Sequence, residues 1–351
     1  MKREKHLWDK IISFENIYLA AKKALKGKRW KPSVMDFAFH LERHVLEIQK
    51  DLVAKRFDFG AYNEFEIFEP KRRLISAAPL RDRVIHHALC NVIEPVFDPV
   101  FVSSYANRKH YGTHRALKAF SGMYYSTRYV LKCDIKKYFP SIDHEILKTL
   151  IRKKIGCAET LSLIDRIIDH SNPQEAVNDY YTGDSLFTPF ERKRGIPIGN
   201  LTSQFFANIY LNPLDHFMKE TLRCKKYVRY VDDFMICHDS RDQLEEWRKE
   251  IENFLETFRV RIHPIKSQIT STMHGVNFLG FRFLPTTVRV RNENKRRGLK
   301  RLNMQIKEVA GGIMKKDHLK ESLNSWFAHL AFGNTIQLQK TVFQRYCMCN
   351  E

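Results

Sequence analysis

The stretch KYVRYVDDFMICH, residues 226–238, places two adjacent aspartates inside a run of residues that is otherwise typical of β-strand. Aspartate is a poor strand former, and two neighbouring carboxylates repel each other. The pattern therefore predicts two strands joined by a turn that carries Asp232 and Asp233, together with a cation that offsets their repulsion. Hard divalent cations such as Mg²⁺ take oxygen ligands and keep positions open for phosphates.

A third carboxylate could complete such a site. Asp134 ends the short apolar strand predicted for VLKCDI, well upstream of the aspartate pair. Three carboxylates at the ends of adjacent strands could hold two metal ions, one activating a hydroxyl and one stabilising the leaving oxygen of an in-line displacement. Taken alone, an Asp-Asp pair in a basic protein is also a common surface turn.

The composition favours a polyanionic partner. The chain has 351 residues, with 60 Lys plus Arg against 40 Asp plus Glu and a formal net charge of +20. Such an excess points to nucleic acid, and a merely soluble basic protein is the alternative. An apolar content of 43%, with 25 Phe and 14 Tyr, excludes wholesale disorder. The length allows two or three subdomains, each with its own core.

Several classes of protein are disfavoured. Residues 1–20 carry scattered charges in place of a continuous apolar core, so we expect no signal peptide, and no stretch approaches the roughly 20 apolar residues of a membrane span. The seven cysteines are odd in number and show no CxxC spacing, which argues against structural zinc and a disulfide framework. We therefore expect reduced thiols, a cytoplasmic location and no membrane partner.

The periodicity of the sequence predicts an α+β chain. Apolar residues at three- and four-residue spacing predict helices over residues 5–58, an amphipathic helix from about Thr202 and another over QLEEWRKEIENFLETF. EFEIFEP and RRLISAAP predict a hairpin, whereas a loop rich in Asn, Asp, Gly, Ser and Pro runs from about Ser171 to Pro189. Beyond Pro285 the sequence predicts a basic, helical segment.

The chain resembles the palm of reverse transcriptases in the order of five segments: DIKKYFPSID, RGIPIGNLTSQFFANIYLNPLD, YVDD, HPIKSQ and NFLGF. Upstream, PKRRLISAAPLRDRVIHHAL and SSYANRKHYGTHRAL resemble the fingers blocks of that family. The resemblance covers about residues 65–285 and implies a right-hand polymerase fold, with fingers, a palm containing an antiparallel sheet, and a helical thumb. The implied domains are an N-terminal helical extension (1–60), fingers (61–128), a palm (129–284, with a finger-type insertion at about 155–195) and a helical basic thumb (285–351).

The resemblance also assigns catalytic roles. It implies that Asp134, Asp232 and Asp233 are the catalytic and metal-binding carboxylates, with the backbone carbonyl of Ile135 as a further ligand. The implied cofactor is a pair of Mg²⁺ ions, with Mn²⁺ as a substitute. Lys266 matches a lysine that follows the aspartate hairpin and could protonate the pyrophosphate leaving group, and a backbone contact to nucleic acid is its alternative role.

Substrate contacts are implied on both sides of the incoming nucleotide. Arg73 matches the arginine that grips the triphosphate, and Lys71 or Arg72 would supply a second cation. Phe139 matches the aromatic gate against a ribonucleotide 2′-hydroxyl, which predicts a preference for dNTPs, although a core aromatic is the alternative. The remaining implied dNTP-binding residues are Ile198 and Gly199.

Primer and duplex contacts are implied further along the chain. Phe278, Leu279 and Gly280 match the hairpin that grips the primer end, and Gly280 would permit close backbone approach. A basic cluster in the thumb could lie on a template-primer backbone, with a solvated face as its alternative role. It comprises Arg296, Arg297, Lys300 and Arg301. Asp143 is better explained as the N-cap of the helix DHEIL than as a substrate contact.

One block departs from the common reverse transcriptase pattern. Most members read Q-G-x-x-x-S-P where this chain has Ile198 in place of the glutamine and Gln204 in place of the proline. This form resembles the reverse transcriptases of diversity-generating retroelements. Those enzymes copy a template-repeat RNA, misincorporate opposite its adenines, and pass the mutated cDNA to a variable repeat by mutagenic retrohoming. Loss of the amide at position 198 is expected to weaken geometric discrimination.

The resemblance implies several partners: an RNA template, a DNA or RNA primer, dNTPs and a small basic oligomeric accessory protein. It implies a bacterial or phage-encoded enzyme. The alternatives are a retron, group II-like or phage-defence reverse transcriptase, and a non-catalytic RNA-binding protein built on a palm. The three intact aspartates argue against the last of these.

Overall fold

The computed structural model describes residues 3–28, 32–56, 58–68, 72–172 and 174–347. Within them the chain alternates helices with short strands. The helices are α1 (Trp8–Ile12), α2 (Phe14–Leu25), α3 (Pro32–Phe39), α4 (Leu41–Val53), α5 (Leu80–Phe97), α6 (Thr113–Tyr124), α7 (Tyr138–Ser141), α8 (His144–Arg152), α9 (Ala158–Asp169), α10 (Thr188–Glu191), α11 (Leu201–His216), α12 (Arg241–Thr257), α13 (Asn292–Ala310), α14 (Lys316–Leu330) and α15 (Ile336–Cys347). The strands are β1 (Asn63–Ile67), β2 (Arg73–Ala77), β3 (Tyr129–Asp134), β4 (Tyr227–Tyr230), β5 (Asp233–His238), β6 (Gln268–Ser271), β7 (Val276–Phe278), β8 (Phe281–Phe283) and β9 (Val288–Val290).

The chain forms two compact units whose segments alternate along the sequence. The first unit contains residues 1–108, 134–223 and 249–264, and the second contains residues 109–133, 224–248 and 265–351. The four-domain scheme expected from the sequence stays a prediction. None of the described helices combines the length and the apolarity that crossing a bilayer requires.

The first unit is mainly helical and has α11 deep inside it. The prediction of an amphipathic helix here is wrong, because eleven of the sixteen residues of α11 are buried. One of its buried polar side chains, that of Asn208, is bonded on both sides of its amide. The Asn208 amide donates to the Ala106 carbonyl at 2.8 Å and accepts from the Ser104 hydroxyl at 3.1 Å. Such bonds let a helix be surrounded by protein without a polar face.

Two local predictions for the first unit are confirmed. Strands β1 and β2 pair in antiparallel register from Asn63↔Ala77 to Ile67↔Arg73, as the predicted hairpin requires. Asp143 is the N-cap of α8, where its carboxylate accepts hydrogen bonds from the backbone N–H groups of Glu145 and Ile146, both at 3.1 Å. An acidic cap also interacts favourably with the helix dipole.

The second unit contains a four-stranded sheet with the order β4-β5-β3-β6 and a three-stranded sheet with the order β7-β8-β9. Helix α6 covers the smaller sheet through Phe120, whose ring lies 5.0 Å from Phe278 and 4.8 Å from Phe283. The prediction that the chain becomes helical directly beyond Pro285 is wrong, since β9 comes first. In β9 the partly buried Val288 and Val290 flank an exposed Arg289, which is the alternation of an edge strand.

Helices α13, α14 and α15 pack on one another around a separate apolar core. Its buried members are Leu302, Leu319, Leu323 and Val342, and the partly buried Trp326 packs against them. Gly298 in α13 allows a close approach here, because a Cβ atom at that position would clash with the indole ring of Trp326. The glycine is therefore explained by packing.

We expect Gly298→Ala to lower the midpoint of thermal unfolding. Alanine normally stabilises a helix by about 0.5–1 kcal/mol relative to glycine, but the clash with Trp326 is an overpacking cost of about 1–3 kcal/mol. The matched control is Gly122→Ala in α6, where a Cβ atom would meet nothing within 4 Å. That variant should unfold at a slightly higher temperature. Equal stabilisation by both substitutions would contradict the packing account.

Candidate active site

The aspartate pair stands on a tight turn between β4 and β5, as the sequence predicts. The last paired residues of the hairpin are Tyr230 and Asp233, so Val231 and Asp232 form a two-residue turn. Val231 has a φ of 59°. This left-handed conformation is rare for a β-branched residue and is strained. Strain of this kind persists only where the surroundings enforce it.

A buried arginine holds this turn. Arg229 is completely buried, and its Nη1 donates a hydrogen bond to the Val231 carbonyl at 2.9 Å. A charge-assisted bond in a buried environment is stronger than a neutral one and is costly to lose. The Tyr230 hydroxyl lies 3.1 Å from the hydroxyl of Thr113 in α6, which fixes the residue before the turn. The turn is thus a rigid support for the two carboxylates.

The beginning of β5 lies beside the end of β3. The Lys132 ammonium in β3 is 3.6 Å from a carboxylate oxygen of Asp233, and it also donates to the Asn277 carbonyl at 3.2 Å. Asp134 is two residues further along β3, and side chains two apart on a strand share a face. Lys132 therefore links the aspartate turn to β7, the first strand of the predicted primer-grip hairpin.

The donor atoms have the chemistry that Mg²⁺ prefers, since carboxylate and carbonyl oxygens are its usual protein ligands. Across the described ranges, however, no three or more His, Cys, Asp or Glu side chains are grouped so as to hold an ion. The residues fit the metal in ligand type, and the complete three-carboxylate site stays a prediction.

The two backbone hydrogen bonds next to Ile135 use the carbonyls of Asp134 and Arg261, and not that of Ile135. Ile135 forms an isolated antiparallel bridge with Ile262. The bonds on either side run from His263 N–H to the Asp134 carbonyl at 2.6 Å and from Lys136 N–H to the Arg261 carbonyl at 2.8 Å. This geometry is compatible with a ligand role for the Ile135 carbonyl, which stays a prediction.

The predicted primer-grip residues form a genuine hairpin turn. Phe278 ends β7 and Phe281 begins β8, so Leu279 and Gly280 are the turn residues, with φ values of 43° and 90°. Positive φ at both positions is the mark of a type I′ turn, which glycine favours. The Phe278 side chain is buried and belongs to the core, so contact with a primer would come from the turn itself.

Helix α13 fastens this turn. The Gly280 carbonyl accepts hydrogen bonds from the Arg291 N–H at 3.0 Å and the Asn294 side-chain amide at 3.1 Å. The thumb cluster follows directly on the same helix. Arg296, Lys300 and Arg301 are exposed, whereas Arg297 is partly buried and donates to the Asn294 side chain. Lys266 is also exposed, in a turn two residues before β6.

The basic residues predicted to bind the triphosphate of the nucleotide differ in their surroundings. Arg73 begins β2 and is exposed. Arg72 is committed to Glu66, with which it makes hydrogen bonds of 3.0 and 2.6 Å. This pairing holds the pKa of the Glu66 carboxyl below its usual range. Arg73 is thus the better placed of the two for a phosphate, while Lys71 lies outside the described residues.

The side chain of Phe139, the predicted aromatic gate, is not buried in the core. The neighbouring Tyr138 is the buried ring of this segment, at 2% exposure, whereas Phe139 is partly exposed. The left-handed φ of 46° at Lys137 begins the short helix α7 that carries both rings. The Phe139 carbonyl accepts from the Ile196 N–H at 3.1 Å, which brings the segment of the predicted gate next to the segment that leads to Ile198.

Ile198 and Gly199 lie against β2, the strand of Arg73. The Ile198 carbonyl accepts from the Ser76 N–H at 3.0 Å, and the Ile198 N–H donates to Oε1 of Gln174 at 3.0 Å. The Asn200 side chain donates to the Ser76 carbonyl at 3.1 Å and accepts from Ala78 N–H at 3.0 Å. We call Ser76, Gln174 and Asn200 the Ile198 clamp.

The clamp residues were missed by the sequence analysis. Asn200 lies inside a family block and could have been suspected there, whereas Gln174 belongs to a polar loop in which nothing in the sequence distinguishes it. Gly199 has a φ of 126°, and a Cβ atom there would stand 2.8 Å from the Ile75 side chain, so only glycine allows this approach. Gln204 is exposed in the first turn of α11.

Comparisons with known proteins find relatives of low sequence identity. Protein YkfC of Escherichia coli strain K12 is 24% identical over 253 residues, which are 61% of this chain and 64% of YkfC. Group II intron-encoded protein LtrA of Lactococcus lactis subsp. cremoris is 24% identical over 275 residues, covering 60% of this chain and 44% of LtrA. The chain thus spans less than two thirds of the length of either relative.

Solved structures of telomerase also resemble the chain. Apo telomerase from Candida tropicalis, truncated from its C-terminal domain, gives a TM-score of 0.48 at 14% identity and covers 71% of this chain and 60% of that one. Telomerase from Candida albicans, in complex with a TWJ fragment of telomeric RNA, gives 0.44 at 13% identity, covering 72% and 49%.

The profile of the family described as reverse transcriptase (RNA-dependent DNA polymerase) matches residues 68–283. This match takes in both fingers blocks, the Ile198 segment, the aspartate turn and the primer-grip hairpin. Together with the mixture of helices and antiparallel strand pairs, it confirms the predicted α+β class of the right-hand polymerases. The chain belongs to the reverse transcriptase family.

Proposed function

We propose that the chain is an RNA-directed DNA polymerase, which adds deoxynucleotides to the 3′ end of a primer on an RNA template. The observation that carries this proposal is the strained turn after β4, which the buried Arg229 guanidinium holds and on which Asp232 and Asp233 stand side by side. A surface Asp-Asp turn needs neither a buried charge nor a strained residue. A site that must present two carboxylates in one fixed geometry needs both.

Each candidate residue has a role in the proposed reaction. Asp134, Asp232, Asp233 and the Ile135 carbonyl would hold the divalent ions. When bound, two Mg²⁺ ions, or Mn²⁺ as substitutes, supply activation of the primer hydroxyl and stabilisation of the leaving pyrophosphate. Lys266 donates a proton to the pyrophosphate oxygen.

The remaining residues bind and select substrates. The Arg73 guanidinium binds the triphosphate, and Phe139 excludes a 2′-hydroxyl, which makes the enzyme selective for dNTPs. The turn of Leu279 and Gly280 positions the primer end through its backbone. The basic face of α13 holds the phosphates of the template-primer duplex.

A finer proposal concerns the biological task. Ile198 and Gln204 support a reverse transcriptase of a diversity-generating retroelement, which makes adenine-mutagenised cDNA from a template-repeat RNA. The intron-encoded LtrA among its relatives supports the group II-like alternative. A small basic oligomeric accessory protein and a cytoplasmic location belong to the retroelement proposal. The error spectrum of the enzyme distinguishes the two tasks.

We expect Asp232→Asn to abolish primer extension on an RNA template while leaving the fold and RNA binding intact, because it removes one ligand charge and keeps the size of the side chain in a partly exposed turn. Extension is measured with a labelled DNA primer and all four dNTPs in Mg²⁺. The control is Asp242→Asn, which makes the same charge change on the exposed face of α12 and should extend normally. Full extension by Asp232→Asn would refute the metal-binding role.

Binding of template-primer should weaken steeply with salt. Each phosphate contact contributes about 0.7–0.9 to the slope of log affinity against log salt. Replacing Arg296, Arg297, Lys300 and Arg301 by Ala should therefore flatten the slope by about 3–4 units, measured by fluorescence anisotropy. The double variant Arg241→Ala/Lys249→Ala, which removes two exposed positive charges from α12, should change the slope far less. An unchanged slope in the thumb variant would mean that the cluster faces solvent.

The retroelement proposal predicts that most errors occur opposite template adenine. Ile198→Gln should lower that error rate by roughly 5- to 150-fold, which corresponds to about 1–3 kcal/mol of restored discrimination. Both backbone groups of Ile198 are already bonded within the clamp, so this substitution changes only the side chain. Errors are counted by sequencing cDNA, with Ile198→Leu as the apolar control and Gln204→Pro as a companion.

Two results would contradict the retroelement proposal. The first is an even distribution of errors over the four template bases. The second is an adenine error rate that is the same in Ile198→Gln and in the wild-type enzyme. Neither result would affect the proposed polymerase activity.

A further inference from the structure

We propose that Gln174 is a positioning residue that sets how strictly the enzyme selects the incoming nucleotide, by holding Ile198 against β2. This inference rests on the proposed polymerase function. Gln174 belongs to the loop between α9 and α10, far in sequence from both segments that it joins.

One side-chain amide joins three segments of the first unit. Oε1 of Gln174 accepts the Ile198 N–H at 3.0 Å. Its Nε2 donates to the Leu74 carbonyl at 3.1 Å and to the Ser76 hydroxyl at 2.8 Å. A glutamine amide can make four hydrogen bonds, and here three are made within the protein. A residue with this many directed bonds has little freedom to move.

The other bonds of the Ile198 clamp show which part of Ile198 depends on Gln174. The Ser76 N–H donates to the Ile198 carbonyl, and the Asn200 side chain donates to the Ser76 carbonyl and accepts from the Ala78 N–H. These bonds hold only the carbonyl side of Ile198. Its N–H side is held by Gln174. Without that acceptor the peptide before Ile198 can rotate, and the direction of the Ile198 side chain changes with it.

The bond to Leu74 extends the effect to the triphosphate side. Leu74 directly follows Arg73 in β2, so Gln174 fixes the distance between the strand of Arg73 and the backbone of Ile198. In the proposed function these two residues contact opposite parts of one nucleotide. Misplacement of a reacting group by about 1 Å can cost about 100-fold in rate. A clamp between the two contacts therefore affects alignment of the nucleotide.

Ser76 gives the clamp a buried centre. Ser76 is fully buried, and its hydroxyl donates to a Glu64 carboxylate oxygen at 3.0 Å while it accepts from Gln174. The Asn172 amide adds a bond to the same hydroxyl at 3.3 Å. A buried network of this kind restricts its members, and loss of one member leaves the others with fewer partners.

The test compares Gln174→Met, which keeps the shape and loses all three bonds, with Gln174→Glu, which keeps the acceptor for Ile198 N–H and loses both donors. The values of kcat and KM are measured for correct and incorrect dNTPs, one nucleotide at a time, on RNA templates. The control is Asn178→Ala, at an exposed position of the same loop, which should behave as the wild-type enzyme does.

We expect Gln174→Met to change the ratio of incorrect to correct kcat/KM by at least about fivefold, mainly through KM, and Gln174→Glu to change it less. The effects of Gln174→Met and Ile198→Gln on this ratio should not be additive, because one acts through the other. A merely structural role would lower the unfolding temperature and slow correct and incorrect insertion in proportion.

An unchanged ratio in folded Gln174→Met, or in Gln174→Ala if Gln174→Met does not fold, would overturn the inference. Additive effects in the double variant would also overturn it. Failure of the proposed function is a separate result, since the wild-type enzyme would then extend no primer at all.

Discussion

The hydrogen bond from the buried Arg229 guanidinium to the Val231 carbonyl is the interaction on which the aspartate turn depends. Burying a guanidinium is expensive, and holding a β-branched residue at a φ of 59° costs further energy. Together they give the two carboxylates one fixed backbone. A flexible turn would let Asp232 and Asp233 move apart to relieve their repulsion. Part of the binding free energy of a cation would then be lost in bringing the two carboxylates together again.

The residues proposed to bind the nucleotide are held by a different kind of interaction. Neutral amides and one buried hydroxyl hold Ile198 against β2, through the bonds of Gln174, Asn200 and Ser76. Such bonds are individually modest but directional, which suits a surface that must distinguish small differences in base and sugar position. Lys132 makes comparable contacts in the second unit, where its ammonium lies beside Asp233 and donates to the first strand of the predicted primer-grip hairpin.

Features encoded within a few residues were predictable from the sequence. The β1–β2 hairpin, the Asp143 cap and the aspartate turn each follow from local propensity or pattern, and the order of the blocks indicated the family. The burial of α11, the strand β9 and the hydrogen bonds of Gln174 were not predictable, because each depends on residues distant in sequence. A glutamine in a polar loop looks the same whether it faces water or binds the backbone of Ile198. Burial of Arg229 is likewise set by packing around the sheet, which no short pattern encodes.

The account is tested most directly by giving the purified full chain a DNA primer annealed to an RNA template, with four dNTPs and Mg²⁺, and resolving the products by length. The account predicts extension to the end of the template, loss of extension when a chelator removes the metal, and little extension when ribonucleotides replace dNTPs. Template-primer that is bound by the protein but never extended, in Mg²⁺ or in Mn²⁺, would contradict it.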